Sequence, residues 1–130
     1  MVEVNKIKIG DGNPFVLIAG PCIVENEEMI MQTADEIHQI TSRLNIPYIF
    51  KSSYKKANRT NLNSFSGIGD EKALKILNKV KEKFSLPILT DVHTEDQCEP
   101  VSKMVDILLD LLIFLFPDQL DLANDEYYSY

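Results

Sequence analysis

The loop of residues 51–60 carries side chains of the types that bind phosphate. Four cations fall within nine residues of a chain whose formal net charge is -7, and they are Lys51, Lys55, Lys56 and Arg59. An arginine offers phosphate oxygens a planar fork of donors, and a lysine offers a compact point charge. The loop is therefore predicted to hold a small phosphorylated ligand, although a solvated basic turn would have the same composition.

Three further residues could do chemistry. Asp91 and His93 stand two residues apart, so on an extended strand they lie on the same face. A carboxylate and an imidazole there could bind hydroxyls or move protons, and they could equally cap the next helix. Cys22 follows a Gly-Pro pair and could be a metal ligand, a nucleophile or a small buried side chain.

The elements that must position these residues alternate along the chain. Apolar runs predict strands at 15–19 (covered on both faces), at 47–50, at 88–90 and from about 105, after a half-exposed strand at 2–9. Helical spacing of apolar residues predicts three helices. The first runs from Glu27 to about Leu44 with Asn26 as its cap, and the second starts from a cap at Asp70 and ends near Phe84. The third starts after Thr94, which forms a capping-box pattern with Gln97.

Alternation of strands and helices is typical of an α/β fold with a parallel sheet and right-handed crossovers. Ligand sites in such sheets form at the carboxyl ends of the strands. Cys22, the 51–60 loop and the pair Asp91 and His93 each follow a predicted strand. We therefore expect these three groups to meet on one side of the sheet.

Composition excludes some classes of function. The net charge of -7 argues against general nucleic-acid binding, and an RNA-contacting role for the basic loop is disfavoured for that reason. The longest apolar stretch, 107–116, contains Asp110 and is shorter than the roughly 20 residues that cross a bilayer. Two cysteines, Cys22 and Cys98, without a signal-like amino terminus favour free thiols in a reducing compartment, so we expect a soluble cytoplasmic protein.

Five fragments, in this order and spacing, resemble signatures of the 3-deoxy-D-manno-octulosonate 8-phosphate synthase family. They are IAGPC (18–22), FKSS (50–53), KANR (56–59), TDVH (90–93) and QCEPV (97–101). The resemblance implies an incomplete TIM (β/α)8 barrel, with about the first three to four β/α units after a short amino-terminal strand or hairpin. Residues 1–107 would be the amino-terminal part of the barrel, and residues 108–130 a divergent apolar tail that reflects truncation or a frameshift.

The resemblance also implies an activity. That family condenses phosphoenolpyruvate with arabinose 5-phosphate, which yields a lipopolysaccharide sugar precursor. The implied catalytic residues are Lys51, Lys56, Asp91 and His93, the last two lining the floor of the site. The implied substrate-binding residues are Lys51, Ser53 and Lys56 for phosphoenolpyruvate, Asn58 for the aldose, and Arg59 with Thr60 for its phosphate. Cys22 would be one ligand of a divalent metal, as in the metal-dependent branch.

The chain also departs from the family pattern. Lys55 replaces a usual acidic residue, Asn63 replaces a frequent His, and the pattern ends after Ile107. We therefore expect the isolated chain to be inactive or impaired, and to need self-association or another barrel half. The alternative is a non-catalytic module, derived from the enzyme, that binds a phosphorylated ligand or serves assembly.

Overall fold

The computed structural model describes residues 1–56 and 67–110, in which an antiparallel hairpin precedes alternating parallel strands and helices. The elements are β1 Val2–Val4, β2 Ile7–Ile9, β3 Leu17–Ala19, α1 Glu27–Arg43, β4 Tyr48–Lys51, α2 Asp70–Phe84, β5 Ile88–Val92, α3 Glu95–Ser102 and β6 Ile107–Asp110. Strands β3, β4, β5 and β6 form one parallel sheet in that order. Sequential order of parallel strands is the arrangement of consecutive β/α units in a TIM barrel, so the predicted fold class is confirmed.

The amino terminus is a hairpin and not one strand over residues 2–9. Val2 pairs with Ile9 and Val4 pairs with Ile7, with the chain reversing between them. Asn5 takes a left-handed backbone conformation with φ 53, which asparagine tolerates better than most residues. The period-two pattern was compatible with either arrangement, because both halves of a hairpin alternate in the same way.

Strand β3 is shorter and less covered than the run 15–19 predicted. It begins at Leu17, whose main-chain N–H donates to the carbonyl of Pro47 at 2.9 Å. Phe15 is 70% exposed and Ile18 is 48% exposed. The expectation of a strand buried on both faces is therefore wrong for β3, because its apolar contacts are made mainly through Leu17 and Ala19, which pack against the core.

The hydrophobic core lies between the helices and one face of the sheet. Tyr48, Phe50, Ile88 and Val92 supply the sheet side of this core. The helical side includes Ile30 and Ala34 of α1 and Ala73, Leu77 and Val80 of α2. Because side chains alternate along a strand, the other face of β4 and β5 carries Ile49, Lys51, Leu89 and Asp91.

The helix starts agree in part with the sequence pattern. Asn26 caps α1 as predicted, since its side-chain oxygen accepts the main-chain N–H of Met29 at 2.8 Å. Asp70 is wrong as the cap of α2, because the cap is Gly69 with φ 105 and Asp70 is the first helical residue. A positive φ of that size suits glycine, which has no Cβ to clash.

The last strand, β6, crosses the predicted boundary at residue 107. Strand β6 pairs with β5 through Asp110, so the first three residues of the predicted 108–130 tail continue the sheet. The rest of that tail, 111–130, is outside the described residues. Across residues 1–56 and 67–110, the search for a helix able to cross a membrane finds none.

Candidate functional site

The three polar segments predicted to converge do so at the carboxyl ends of β3, β4 and β5. Lys51 of β4 pairs in register with Leu89 of β5. Two residues after Lys51, the main-chain N–H of Ser53 donates to the carbonyl of Cys22 at 3.2 Å. Ser53 thus lies between the end of β3 on one side and Asp91 on the other, because its hydroxyl donates to the Asp91 carboxylate.

Four side chains form a continuous polar network, here named the Lys51–His93 cluster. The Lys51 Nζ donates to the Ser53 Oγ at 3.0 Å, and the Ser53 Oγ donates to the Asp91 Oδ1. The other oxygen of Asp91, Oδ2, lies 2.8 Å from the His93 Nε2. The Lys51 Nζ is also 3.8 Å from the Asp91 Oδ1, so the ammonium partly balances the carboxylate.

Of the four side chains in the cluster, three are buried and the lysine is partly exposed. Ser53, Asp91 and His93 are buried, whereas the Lys51 side chain is 28% exposed. A buried carboxylate is costly unless it is paired and hydrogen-bonded, and both of its oxygens are contacted here. Asp91 therefore fixes the Lys51 ammonium at the rim, where its charge can reach a ligand.

The contact between Asp91 and His93 defines which ring nitrogen faces the carboxylate. An ionised carboxylate accepts only, so the His93 Nε2 that contacts Asp91 carries the proton in this arrangement. The sequence left open whether Asp91 and His93 form a polar pair or cap the next helix. In the structure they hydrogen-bond to each other, and Thr94 occupies the cap position of α3.

Gln97 supports the site in a way that the sequence pattern did not predict. The predicted capping box is not formed, because within the described residues the Thr94 hydroxyl makes no capping hydrogen bond. The Gln97 Oε1 accepts the main-chain N–H of His93 at 2.8 Å instead. The side chain therefore reaches back four residues and fixes the backbone that presents the imidazole. The spacing was visible in the sequence, but the target of the side chain was not.

Gly20 permits the close approach of β3 to the cluster. A Cβ built at Gly20 would lie 2.0 Å from the carbonyl oxygen of Lys51, which no side chain could accommodate. The requirement here is space and not an unusual φ. Glycine at this position thus allows the IAGPC segment to pass directly beside the main chain of Lys51.

The remaining predicted substrate residues are only partly described. Lys56 is exposed at the end of the described loop. Asn58, Arg59 and Thr60, as well as Asn63, lie outside the described residues. Lys55 contacts the start of α2, where its Nζ lies 3.7 Å from the Asp70 Oδ2. That ion pair gives a structural role to a cation that replaces the acidic residue usual in the family.

A metal site around Cys22 is incomplete in the described part of the chain. Cys22 is a free, exposed cysteine beside Ser53, and Cys98 is free and half-buried in α3. Among residues 1–56 and 67–110, no three His, Cys, Asp or Glu side chains are grouped so that they could hold a metal ion. A catalytic zinc site normally has three protein ligands, so these residues alone do not fit a metal centre.

Comparisons with known proteins agree with the fragments noted above. The model of the DAHP synthetase I family matches residues 1–109. Proteins named 2-dehydro-3-deoxyphosphooctonate aldolase from Rickettsia typhi, Rickettsia prowazekii and Rickettsia felis are 54%, 52% and 51% identical over 108 residues. Each match covers 83% of this chain and 39% of the relative, so the chain spans about two fifths of the relatives' length. The match to the family model over nearly all the described residues places the chain in the DAHP synthetase I family.

Proposed function

We propose that this chain supplies the phosphoenolpyruvate-binding part of a synthase that condenses phosphoenolpyruvate with arabinose 5-phosphate in the cytoplasm. The five sequence fragments support this substrate pair through their resemblance to the synthase family, and relatives named 2-dehydro-3-deoxyphosphooctonate aldolase agree with it. The observation that carries the proposal is the Lys51 ammonium, held by Ser53 and Asp91 at the edge of a buried network. Such a fixed, partly exposed cation is what a small multiply charged anion requires.

The physical role of the cluster is to oppose the repulsion between two anionic substrates. Lys51 and Lys56 would contact the carboxylate and phosphate of phosphoenolpyruvate, with Ser53 as a further hydrogen-bonding group. A charge that is already positioned does not have to reorganise as the substrates approach, which lowers the barrier to their reaction. Asp91 would keep Lys51 oriented, and Asp91 with His93 would line the floor of the site, where the imidazole could move a proton.

The second substrate requires the other end of the loop. Asn58, Arg59 and Thr60 are proposed to hold arabinose 5-phosphate, Asn58 through the sugar hydroxyls and Arg59 with Thr60 through the phosphate. The guanidinium fork suits a terminal phosphate group. The sequence distance from Lys51 to Arg59 is eight residues, which allows one loop to contact both anions.

Cys22 is proposed as one ligand of a divalent metal in the assembled enzyme, where further ligands would come from beyond the described residues. A bound metal would supply Lewis-acid polarisation of a carbonyl or water. The test is a cobalt(II) titration that monitors the thiolate charge-transfer band. The band should appear in wild-type protein and in Cys98→Ser, and vanish in Cys22→Ser. A band that depends on Cys98 would overturn this assignment.

We propose that turnover needs further catalytic and binding side chains besides those of the described residues. A second copy of the chain or another part of a barrel would supply them. The exposed Ile18 of β3 and Leu109 of β6 favour this, because strand alternation places both on the face of the sheet that carries the cluster. Sedimentation of the purified chain measures its association state. A monomer that unfolds cooperatively and remains soluble would contradict the need for association.

A second candidate function is a non-catalytic module that binds a phosphorylated ligand or serves assembly, and the exposed side chains of Ile18 and Leu109 favour a role in assembly. Two measurements separate the candidates. Thermal unfolding is followed with phosphoenolpyruvate and with pyruvate, which lacks the phosphate, and phosphate release is followed after arabinose 5-phosphate is added. Stabilisation by phosphoenolpyruvate with phosphate release supports the enzyme, and stabilisation without release supports the module. Equal unfolding temperatures with and without phosphoenolpyruvate would contradict both the enzyme and a ligand-binding module.

A further inference from the structure

Thr90 is a buried residue of β5 whose side chain points away from the Lys51–His93 cluster. Alternation along the strand puts Asp91 on the cluster side of the sheet and Thr90 on the core side, where it is 0% exposed. The Thr90 side chain therefore cannot touch a ligand that binds on the cluster side. Its hydroxyl donates to the main-chain carbonyl of Ser52 at 2.8 Å.

This hydrogen bond holds the main chain where β4 stops pairing regularly with β5. In the described residues, the regular pairing of these strands ends with Lys51 opposite Leu89. Beyond that pair, the Ser52 N–H donates to the Leu89 carbonyl at 3.3 Å. The Ser52 carbonyl then accepts the Thr90 hydroxyl. A threonine side chain thus continues the connection between the two strands by one further hydrogen bond.

The Thr90 bond lies one residue before the contact on which the cluster depends. Ser53 is the neighbour of the residue that accepts this bond, and Asp91 is the neighbour of the residue that donates it. Asp91 is held from its other side, because β5 pairs with β6 through Asp91 and Leu109. The Thr90 hydroxyl therefore holds Ser53 against a carboxylate whose own strand is anchored.

The main-chain bonds of Ser53 do not fix its distance from β5. Its N–H donates to the Cys22 carbonyl at 3.2 Å, and its carbonyl accepts the Val24 N–H at 2.9 Å. Both partners follow β3, on the other side of β4. The link to β5 is made by Ser52 through the two bonds described above. Without the Thr90 hydroxyl, the longer of those two bonds, at 3.3 Å, would remain.

We propose that Thr90 is a positioning residue of the Lys51–His93 cluster, whose hydroxyl sets the distance between Ser53 and Asp91 and thereby the orientation of the Lys51 ammonium. Its consequence for ligand affinity rests on the anion site proposed above. Its effect on the Ser53 to Asp91 bond needs no ligand, so the two are tested separately. Loss of this one hydrogen bond should weaken phosphoenolpyruvate binding by about three- to tenfold.

Isothermal titration of the full chain with phosphoenolpyruvate tests the effect on affinity. Thr90→Val removes the hydroxyl at nearly constant volume and should show the three- to tenfold loss. Thr90→Ser keeps a hydroxyl and should bind within about twofold of wild type. A Thr90→Val protein with wild-type affinity, or a Thr90→Ser protein as weak as Thr90→Val, would overturn the proposal.

The matched control is Thr41→Val. Thr41 is 2% exposed, and its hydroxyl also donates to a main-chain carbonyl, that of Ile37, at 2.9 Å. Its own carbonyl accepts the N–H of Ile46, just before β4, so Thr41 lies at the opposite end of that strand from Ser53. Thr41→Val should lose stability and bind phosphoenolpyruvate as wild type does. An equal loss of affinity in Thr41→Val and Thr90→Val would contradict a specific role for Thr90.

A double-mutant cycle in urea denaturation tests the link between the two bonds without a ligand. Thr90→Val and Ser53→Ala should be coupled by at least about twofold in the unfolding equilibrium constant, because their bonds belong to one network. Thr41→Val and Ser53→Ala should combine additively. If Thr90→Val does not fold, Thr90→Cys, which has a weaker donor, replaces it in both experiments.

The cycle and the titration separate this proposal from the proposed function. Additive losses for Thr90→Val and Ser53→Ala would contradict the positioning role whether or not phosphoenolpyruvate binds. Coupling in a chain that binds no phosphoenolpyruvate would support the positioning role and contradict the anion site.

Discussion

The hydroxyl of Ser53 donates a hydrogen bond to the carboxylate of Asp91 although the two residues are 38 positions apart in the chain. They meet because β4 and β5 are neighbouring parallel strands whose carboxyl ends lie at the same edge of the sheet. Ser53 also accepts from the Lys51 Nζ, so it connects the accessible cation to the buried carboxylate. The site thus depends on strand register, and substitutions within it should affect stability and binding together.

Ser53→Ala should lower the free energy of unfolding by about 1 to 3 kcal/mol, because it leaves a buried carboxylate with one hydrogen bond fewer. Urea denaturation measures this loss. The control is Ser102→Ala, which removes an exposed hydroxyl that donates to the Glu99 carbonyl, and it should cost no more than about 0.5 kcal/mol. Equal losses in the two variants would contradict the importance of the Ser53 to Asp91 bond.

Gly20→Ala should destabilise the chain by about 3 kcal/mol or more, since its Cβ would lie 2.0 Å from the Lys51 carbonyl oxygen and the backbone must move. Gly12→Ala is the matched control. No atom lies within 4 Å of a Cβ at Gly12, and only its φ of 77 opposes alanine, so the cost should be about 1 kcal/mol. Differential scanning calorimetry compares the two, and a Gly20→Ala protein as stable as Gly12→Ala would refute the close approach.

Asp106 should make stability depend on acid pH. Burial acts to raise its pKa, but hydrogen bonds from Lys81 at 2.8 Å and from the main-chain N–H of Ile88 at 2.9 Å outweigh burial and lower the pKa below 3.8. A lowered folded-state pKa gives stability that is present above the unfolded value, 3.8, and is lost as pH falls through the folded value.

Asp106→Asn should therefore be less stable than wild type at pH 7, by about 1 to 3 kcal/mol, and should lose less further stability as pH falls below 3.8. The control is Glu71→Gln, whose carboxylate is fully exposed although its hydrogen bond to Lys75 lowers its pKa. That variant should follow the wild-type profile. Guanidinium denaturation at several pH values gives both curves, and parallel wild-type and Asp106→Asn profiles would disprove the linkage.

Tyr54 should contribute to loss of stability at alkaline pH. Its folded-state pKa is raised to about 12 from 10.0, mainly by burial, so its contribution is complete below pH 10 and declines as pH rises from 10 to 12. Tyr54→Phe cannot ionise there and should lose about 1 kcal/mol less than wild type between pH 8 and pH 11. Denaturation at the two pH values measures the difference, which should be zero if the hydroxyl ionises normally.

Much of the architecture could be predicted from sequence because local signals and the fold agree. The apolar stripe of α1 and the Asn26 cap are local, and the structure retains both. Alternation of strands and helices also predicted that the 51–60 loop and Asp91 would share an edge. The amino terminus was predicted as a strand or a hairpin, and the apolar period did not decide between them, because the left-handed Asn5 leaves no mark on that period.

The contacts within the site could not be read from sequence because they depend on register. The pairing of Lys51 with Leu89 sets Ser53 opposite Asp91, and a shift of one residue would turn Ser53 to the other face. The partner of the Gln97 side chain could not be predicted from sequence either, because its spacing allowed it to reach either the cap residue Thr94 or His93. Only the geometry of α3 against β5 decides between those targets.

The proposed anion site depends most on Lys51, and isothermal titration with phosphoenolpyruvate is the direct test. Lys51→Met should weaken binding at least about tenfold, because it removes the accessible ammonium of the cluster. Lys55→Met removes a cation from the same loop that pairs with Asp70 instead, and it should change the affinity by less than about twofold. Equal weakening in the two variants would indicate a diffuse basic loop, and unchanged binding in Lys51→Met would contradict the assignment of the site.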